Sequence, residues 1–386
     1  MNNSFLLYRN TITSNEKVNN NNNDYDDGNG NDDCHYVLNI DNTCDNNHYI
    51  TSLSNHNIII YDKCTLTSIY EINSSHNDTI NTIESSVHNP YIFYSGSSDK
   101  TISIWDNRLS SSSKLPVARL SFPDEVMALS VGMNDTLLAA GYSNTISFLD
   151  IRFISSSSSP PSSSSSINYN RIKLGDYADV HTDIITQLKF LSSSPSTLLS
   201  AADDGLICSY NTSVSEKESA IQSILNTECP VRKFGIFGSN NEGLYCLSTI
   251  ETLSVWHHSS ALRIGNYNNI REQFHIDYLV DCYYDNINDT LKMIAGKYDG
   301  SGIITKVEPS ALSVESTLLS GHSAQIRCSN VSLLPSSTSN IIATGGEDSK
   351  ICTWITSSVI NTDNTSSSTK KAHKHNPSKD RRSKPY

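Results

Sequence analysis

Three residues with the makings of a hydrolytic site fall in one region of the chain: His76, Ser95 and Asp99. In a hydrolase an imidazole takes the serine proton while a carboxylate holds the imidazole in the required tautomer. The same three groups can equally satisfy one another as a hydrogen-bond chain that catalyses nothing. The two readings differ in a way that sequence can address. A catalytic set is needed once, whereas a structural chain recurs wherever its structural unit recurs.

It recurs. His76, Asp99 and Trp105 are separated by 23 and then 6 residues, and His181, Asp204 and Tyr210 repeat both intervals. His322, Asp348 and Trp354 stand 26 and then 6 residues apart, with the extra length in the serine-rich "PSSTS" loop. Coincidences of this kind mark an internal repeat. Weaker copies fill the gaps. One runs from Asp124 to Arg152 with Leu149 at the aromatic position, one contains Trp256, one ends without an aromatic, and an opening copy ends at Tyr61-Asp62. Seven units thus lie between Tyr36 and about Ile360, each close to the roughly 40–45 residues of a propeller blade once inserts are removed.

Inside each unit, alternating runs such as "TISIWD", "TISFLD" and "NIIIYD" are β-branched and aromatic, bounded by Gly, Ser, Asn and Asp. No sustained helical periodicity competes with them. Short strands repeated seven times predict an all-β, seven-bladed β-propeller, which leaves only short, protected sheet edges. The first unit begins with an inner strand at Tyr36–Ile40 and the last stops after its third strand near Ile355, so residues 4–12 are expected to close the last blade. Residues 36–360 then form the propeller. Residues 13–35 (acidic and Asn-rich), the Ser-rich insert 155–166 and the basic tail 361–386 are expected to be disordered, because they carry too few apolar residues for a core.

Charge divides the chain in two. From Lys370 to Tyr386, Lys370, Lys371, Lys374, Lys379, Arg381, Arg382 and Lys384 face only Asp380, a net +6; the whole chain is at −12, so the remainder carries −18. An acidic body does not suit the phosphate backbone of nucleic acid, while the tail could touch nucleic acid weakly or engage an import receptor. Nine cysteines without C-x-x-C spacing suit reduced thiols of the nucleus or cytoplasm. The opening "MNNSFLLYRN" has a four-residue apolar run with no preceding positive charge, so neither a secretory signal nor a membrane span is expected.

The repeated residues resemble the WD-repeat family, whose units begin with Gly-His and end with Trp-Asp. Gly321-His322 and Trp105-Asp106 match literally, Ser75-His76 and Val180-His181 keep the histidine, and Trp354-Ile355 loses the aspartate. The resemblance implies a buried tetrad of His76, Ser95, Asp99 and Trp105, recurring in whole or part at His181, Asp204 and Tyr210 and at His322, Asp348 and Trp354. It implies structural rather than catalytic work for these residues. The stretch ending "WDNR" also resembles the Trp-Asp-x-Arg box of WD-repeat substrate receptors of cullin-RING ubiquitin ligases. That likeness implies an adaptor contact for Arg108, positioned by Asp106, with "LDIR" at Arg152 as a partial second copy.

Other constellations are weaker. Cys34, His35, Cys44 and His48 lack the paired close spacing of a structural zinc site, and His373 and His375 fare no better. "DDGNGND" lacks the strand and helix that a phosphate cradle needs. The pairs Asp203-Asp204 and Glu347-Asp348 sit where the tetrad aspartate belongs. The expectation is a scaffold that binds other proteins, without cofactor, metal or catalysis, in the nucleus or cytoplasm, with a ligase receptor as the alternative.

Overall fold

The computed structural model describes residues 2–3, 5–11, 35–108, 115–152, 169–333 and 339–356. The insert 155–166, the tail from residue 361 onward and nearly all of 13–35 lie outside them. Seven sheets follow one another around the ring; the first six are built on an antiparallel meander of four strands in sequence order, and the seventh is completed from the N-terminal end. Blade two shows the pattern, with strands Ile80–Ser85, Ile92–Ser97, Thr101–Asp106 and Ala118–Ser121. Helix is confined to three short turns among the described residues: Tyr169–Ile172, Lys217–Ala220 and Ile270–Phe274.

The expected closure is present. Blade seven takes Ile326–Leu333, Asn340–Gly346 and Lys350–Thr356 from the end of the propeller, and its fourth strand is Phe5–Thr11, antiparallel to Lys350–Thr356. A two-residue strand, Asn2–Asn3, adds in parallel to the outer strand of blade six. Contacts between first strands pass from each blade to the next and return from Ile326–Leu333 to Val37–Asn42, so the sheets form a closed ring.

The core is not one centre but seven layers, each between neighbouring blades. Ile50, Ile58 and Ile60 of blade one pack against Ile80, Phe93 and Trp105 of blade two. The series ends where Cys328, Ala343 and Ile351 of blade seven meet Val37, Tyr49 and Tyr61 of blade one. Consecutive residues of the inner strands are buried, as throughout Leu137–Tyr142, because both faces of a blade meet a neighbour.

Each first strand is an edge strand lining the channel, so one row of its backbone groups has no ladder partner. A side chain from an adjacent blade supplies one. Asp41 accepts from the Ser85 amide at 2.8 Å, Asn81 donates to the Val126 carbonyl at 3.0 Å, and Ser130 accepts from the Phe190 amide at 2.9 Å. Gln187 takes the Phe234 amide at 2.8 Å, and Arg232 reaches the Leu279 carbonyl at 2.7 Å. Tyr278 takes the Ile326 amide at 2.7 Å, and Asn330 returns to the Ile40 carbonyl at 3.4 Å. Every seam of the ring is stapled in this way. All seven first strands also carry a register shift near their start, for instance between Ile80 and Thr82 and between Ile185 and Gln187. The extra residue of such a bulge is turned out of the ladder, and at Asn81, Thr186 and Arg232 it is the one bonding to the next blade.

Candidate functional site

The candidate hydrolytic set lies at one face of the disc. His76 sits on the connection into blade two and Asp99 in the turn between its second and third strands. His76 Nδ1 is 3.0 Å from Asp99, His76 Nε2 is 2.7 Å from Ser95 Oγ, and Trp105 donates its indole N–H to the same Oγ at 2.8 Å. Asp99 also accepts from the backbone amide of Asn77 at 3.0 Å and from the Thr101 hydroxyl at 2.6 Å. With the imidazole proton on Nδ1, every donor in this chain has an acceptor.

Blades four and seven repeat the geometry. His181 Nδ1 lies 3.1 Å from Asp204 and Nε2 lies 2.7 Å from Ser200 Oγ. His322 Nδ1 lies 2.9 Å from Asp348, Nε2 lies 2.8 Å from Thr344 Oγ1, and Trp354 donates to that hydroxyl at 2.8 Å. Tyr210, in the place of the indole, bonds Ser200 through its phenol. Ser200 and Thr344 complete the sets, and the sequence reading did not name them. Their signal is in the chain: like Ser95, each stands four residues before the aspartate and ten before the aromatic.

The electrostatics follow from enclosure. All three histidine side chains are fully buried and their aspartates nearly so. Burial pushes the His76 and His181 pKa values down, against the pull of Asp99 and Asp204, which favours neutral imidazole. Burial alone would raise the Asp99 and Asp348 carboxyls, but the bonds from their histidines and from backbone amides outweigh it and hold both below the usual carboxylate range. With Ser95 itself at zero exposure, a substrate has no path to this hydroxyl.

The other four blades lack the chain of bonds for identifiable reasons. Blade five has Cys246 at the hydroxyl position, and Trp256 turns its N–H to Ser254 on its own strand at 2.8 Å. By the same cross-strand register, Ala140 and Met293 occupy that position in blades three and six. In blade one Thr51 sends its hydroxyl to the Ile59 carbonyl instead, at 3.0 Å.

The opposite face, where third strands exit, carries the arginines. Arg108 donates from Nε and from the backbone amide to one Asp106 oxygen, both at 3.0 Å, and from its terminal nitrogen to the other at 2.6 Å. The guanidinium lies over the Tyr91 ring at 5.1 Å, yet 55% of the side chain is exposed. Arg152 makes the same forked contact with Asp150 on the next blade and is 66% exposed. Such a fork fixes the direction of the charge while leaving its outer donors free.

The remaining candidates are dispersed. Glu347 pairs with Arg327, while Asp203 is raised by burial and by Asp183 and Asp204. Among the described residues, no group of three His, Cys, Asp or Glu is placed to hold a metal. Cys34 and the tail residues from Lys370 to Lys384 lie outside the described residues. No helix among the described residues is long and apolar enough to cross a membrane.

Comparison with known proteins agrees with this geometry. The family model of the WD domain, G-beta repeat, matches residues 66–106 and 313–354. Each match spans the last strand of one blade and the first three of the next, the offset that makes an N-terminal strand necessary for closure. The chain is 28% identical over 332 residues to WD repeat-containing protein 89 homolog of Dictyostelium discoideum, covering 84% of each. It is 30% identical over 325 residues to WD repeat-containing protein GTS1 of Arabidopsis thaliana, covering 78% of this chain and 76% of that one.

Proposed function

This chain belongs to the WD-repeat family of β-propellers, and from that premise we propose that it is a non-enzymatic scaffold holding the members of a nuclear multiprotein complex on the faces of its disc. The observation that carries this reading is the fate of the His, Ser or Thr and Asp set that could have done chemistry. It recurs in three blades, is enclosed in each, and is consumed by internal bonds. A rigid ring with loops on two faces is suited to holding several partners at once. The basic run from Lys370 supports the nuclear setting, with ribosome maturation and chromatin as the two assemblies to look in.

The test is an affinity purification of the tagged chain from its own cells, read by mass spectrometry. A reproducible set of ribosome-assembly or chromatin proteins is expected, and a chain recovered alone would overturn the scaffold. Deleting residues 370–386 is expected to move a fluorescent fusion toward the cytoplasm; an unchanged distribution removes the nuclear setting.

A second reading, the substrate receptor of a cullin-RING ligase, is favoured by one observation. Arg108 is both clamped by Asp106 and exposed, and Arg152 with Asp150 repeats this on the adjoining blade. In this reading the cullin adaptor is recovered with the native chain and lost with Arg108→Ala. Partners retained by both would retire it.

A further inference from the structure

A cleft of about 610 Å³ opens between blades five and six, at the face where third strands exit. Its walls are apolar and aromatic, from Phe237, Ile264, Tyr267, Tyr284, Leu291 and Val307. The cause is visible in the register. Val307 stands opposite Leu291 where blade two has Trp105 opposite Phe93, a pair stacked with ring centroids 6.1 Å apart. Two smaller side chains leave that layer underfilled.

Small residues alone do not open such a cleft. Blade three has Leu149 opposite Leu138 at the same position, and both are fully buried because Ile172, from the short turn Tyr169–Ile172, packs into their layer. In blade six Val307 stays only partly buried, although Leu312 and Ile270 of the short helix Ile270–Phe274 are buried in the same layer.

The charges around the cleft have one sign in excess. Lys306 is paired with Glu308 at 2.8 Å, and Glu242 and Asp289 at the rim have no ion pair among the described residues. Asp289 takes the Tyr284 hydroxyl and Glu242 takes the Asn240 amide at 2.9 Å, neutral donors that leave both charges uncompensated. Tyr267 ties the floor together by donating to the Glu308 carbonyl. The body around it carries −18 of formal charge (−12 overall, less the +6 of the tail), so its long-range field has the same sign.

We propose that this cleft is a docking site for a basic segment of a partner protein, one apolar or aromatic side chain filling the space above Val307 and flanking Lys or Arg meeting Glu242 and Asp289. The inference rests on the scaffold reading and names the chemistry of one of its partners. A buried anchor ringed by opposite charge is the arrangement that concentrates binding energy at a centre and gives the rim control of specificity.

The test uses displayed random heptapeptides with a Phe, Leu or Trp centre, one library biased to Lys and Arg and one to Asp and Glu, selected on the full chain. Enriched peptides are then measured by fluorescence anisotropy. The basic library is expected to enrich, with affinity falling at least tenfold on Val307→Trp and at least threefold on the double change Glu242→Gln, Asp289→Asn. The second variant alters only rim side chains, so it remains informative if Val307→Trp does not fold. Equal enrichment of the acidic library, or affinities that neither variant changes, would overturn the proposal. Binding that emerges only after residues 370–386 are removed would assign the cleft to the chain's own tail and overturn it likewise. Native partners that still co-purify with Val307→Trp, together with peptides that never bind, would sink the cleft and leave the scaffold standing.

Discussion

Trp354 donates its indole N–H to Thr344 at 2.8 Å, and the same hydroxyl meets His322 Nε2 at 2.8 Å. One threonine with no solvent exposure therefore serves two buried groups from other parts of the blade. Thr344→Val, which keeps the shape and removes the oxygen, is expected to cost about 1–3 kcal/mol for each group left unpaired. Thr344→Ser should recover most of that loss. Urea unfolding midpoints of the three proteins decide it, and a valine variant as stable as the native chain would mean that this hydroxyl is not a keystone.

Asp99 holds together a histidine, a threonine and a backbone amide. Asp99→Ala should lower the thermal midpoint by roughly 2–4 °C for each kcal/mol lost, with about 1–3 kcal/mol expected from the orphaned His76 alone. The control is Asp124→Ala, whose pair with Lys100 is half exposed on both sides and should contribute next to nothing. Equal effects of the two would contradict the account.

The histidine contribution should be lost at higher pH than that of Asp99 and Asp348. His76 and His181 are depressed by burial below the ordinary 6.5, so between that value and their folded pKa values the unfolded chain binds more protons than the folded one. Stability is then complete above about pH 6.5 and declines as pH falls through the folded values. Asp99 and Asp348, also depressed, add their loss at lower pH, below the unfolded carboxylate value near 4. Between pH 6.5 and 4.5 the native chain should lose stability relative to His76→Gln, read as the difference between their unfolding midpoints at each pH.

Glu84 runs the other way. Burial first, and the Asp41 carboxylate second, push it up to about 8, while its Oε1 accepts from the Ser130 hydroxyl at 3.3 Å and the Val131 amide at 3.4 Å. A group raised in the folded state stabilises fully below its unfolded pKa and loses that contribution as pH rises through the folded value. The native chain should therefore weaken between about pH 4.5 and 8 on this account alone. Glu84→Gln, which keeps the acceptor and cannot ionise, should be the more stable protein at pH 8.5. A glutamine variant that loses stability in step with the native chain would remove Glu84 as the source.

Gly321 precedes His322 for a reason of space. A Cβ there would lie 2.5 Å from the Trp354 ring. Gly321→Ala is expected to destabilise by about 1–3 kcal/mol, the usual range for forcing a methyl into a packed site. The same change at Gly175, whose Cβ would meet nothing, should be nearly silent. Differential scanning calorimetry of the pair is sufficient.

Much of the fold was legible because its information is local and repeated. The 23- and 6-residue intervals at His76, Asp99 and Trp105 survive in blade four because both hairpins keep their length, and the period-two pattern of "TISIWD" can be met only by a strand. The closing strand at Phe5–Thr11 was legible by subtraction, since the last unit lacks a fourth strand. Ser200 and Thr344 were overlooked because serine and threonine are too common here to stand out, although their offset from the aspartate is constant.

What the amino-acid order determined by itself was the blade: strand periodicity, turn residues, the spacing of His, Asp and aromatic, and the number of copies. What only the tertiary structure decided lies between blades. The bond from Asp41 to the Ser85 amide spans 44 residues and that from Asn330 to Ile40 spans 290, and no local pattern specifies either. The cleft beside Val307 belongs to the same class. A valine in place of a tryptophan is plain in the sequence, but whether the gap is filled, as Ile172 fills it in blade three, depends on a residue brought there by the ring. Hydrogen bonds within a hairpin are set by chain geometry over a few residues, whereas contacts across a seam exist only once the circle has closed.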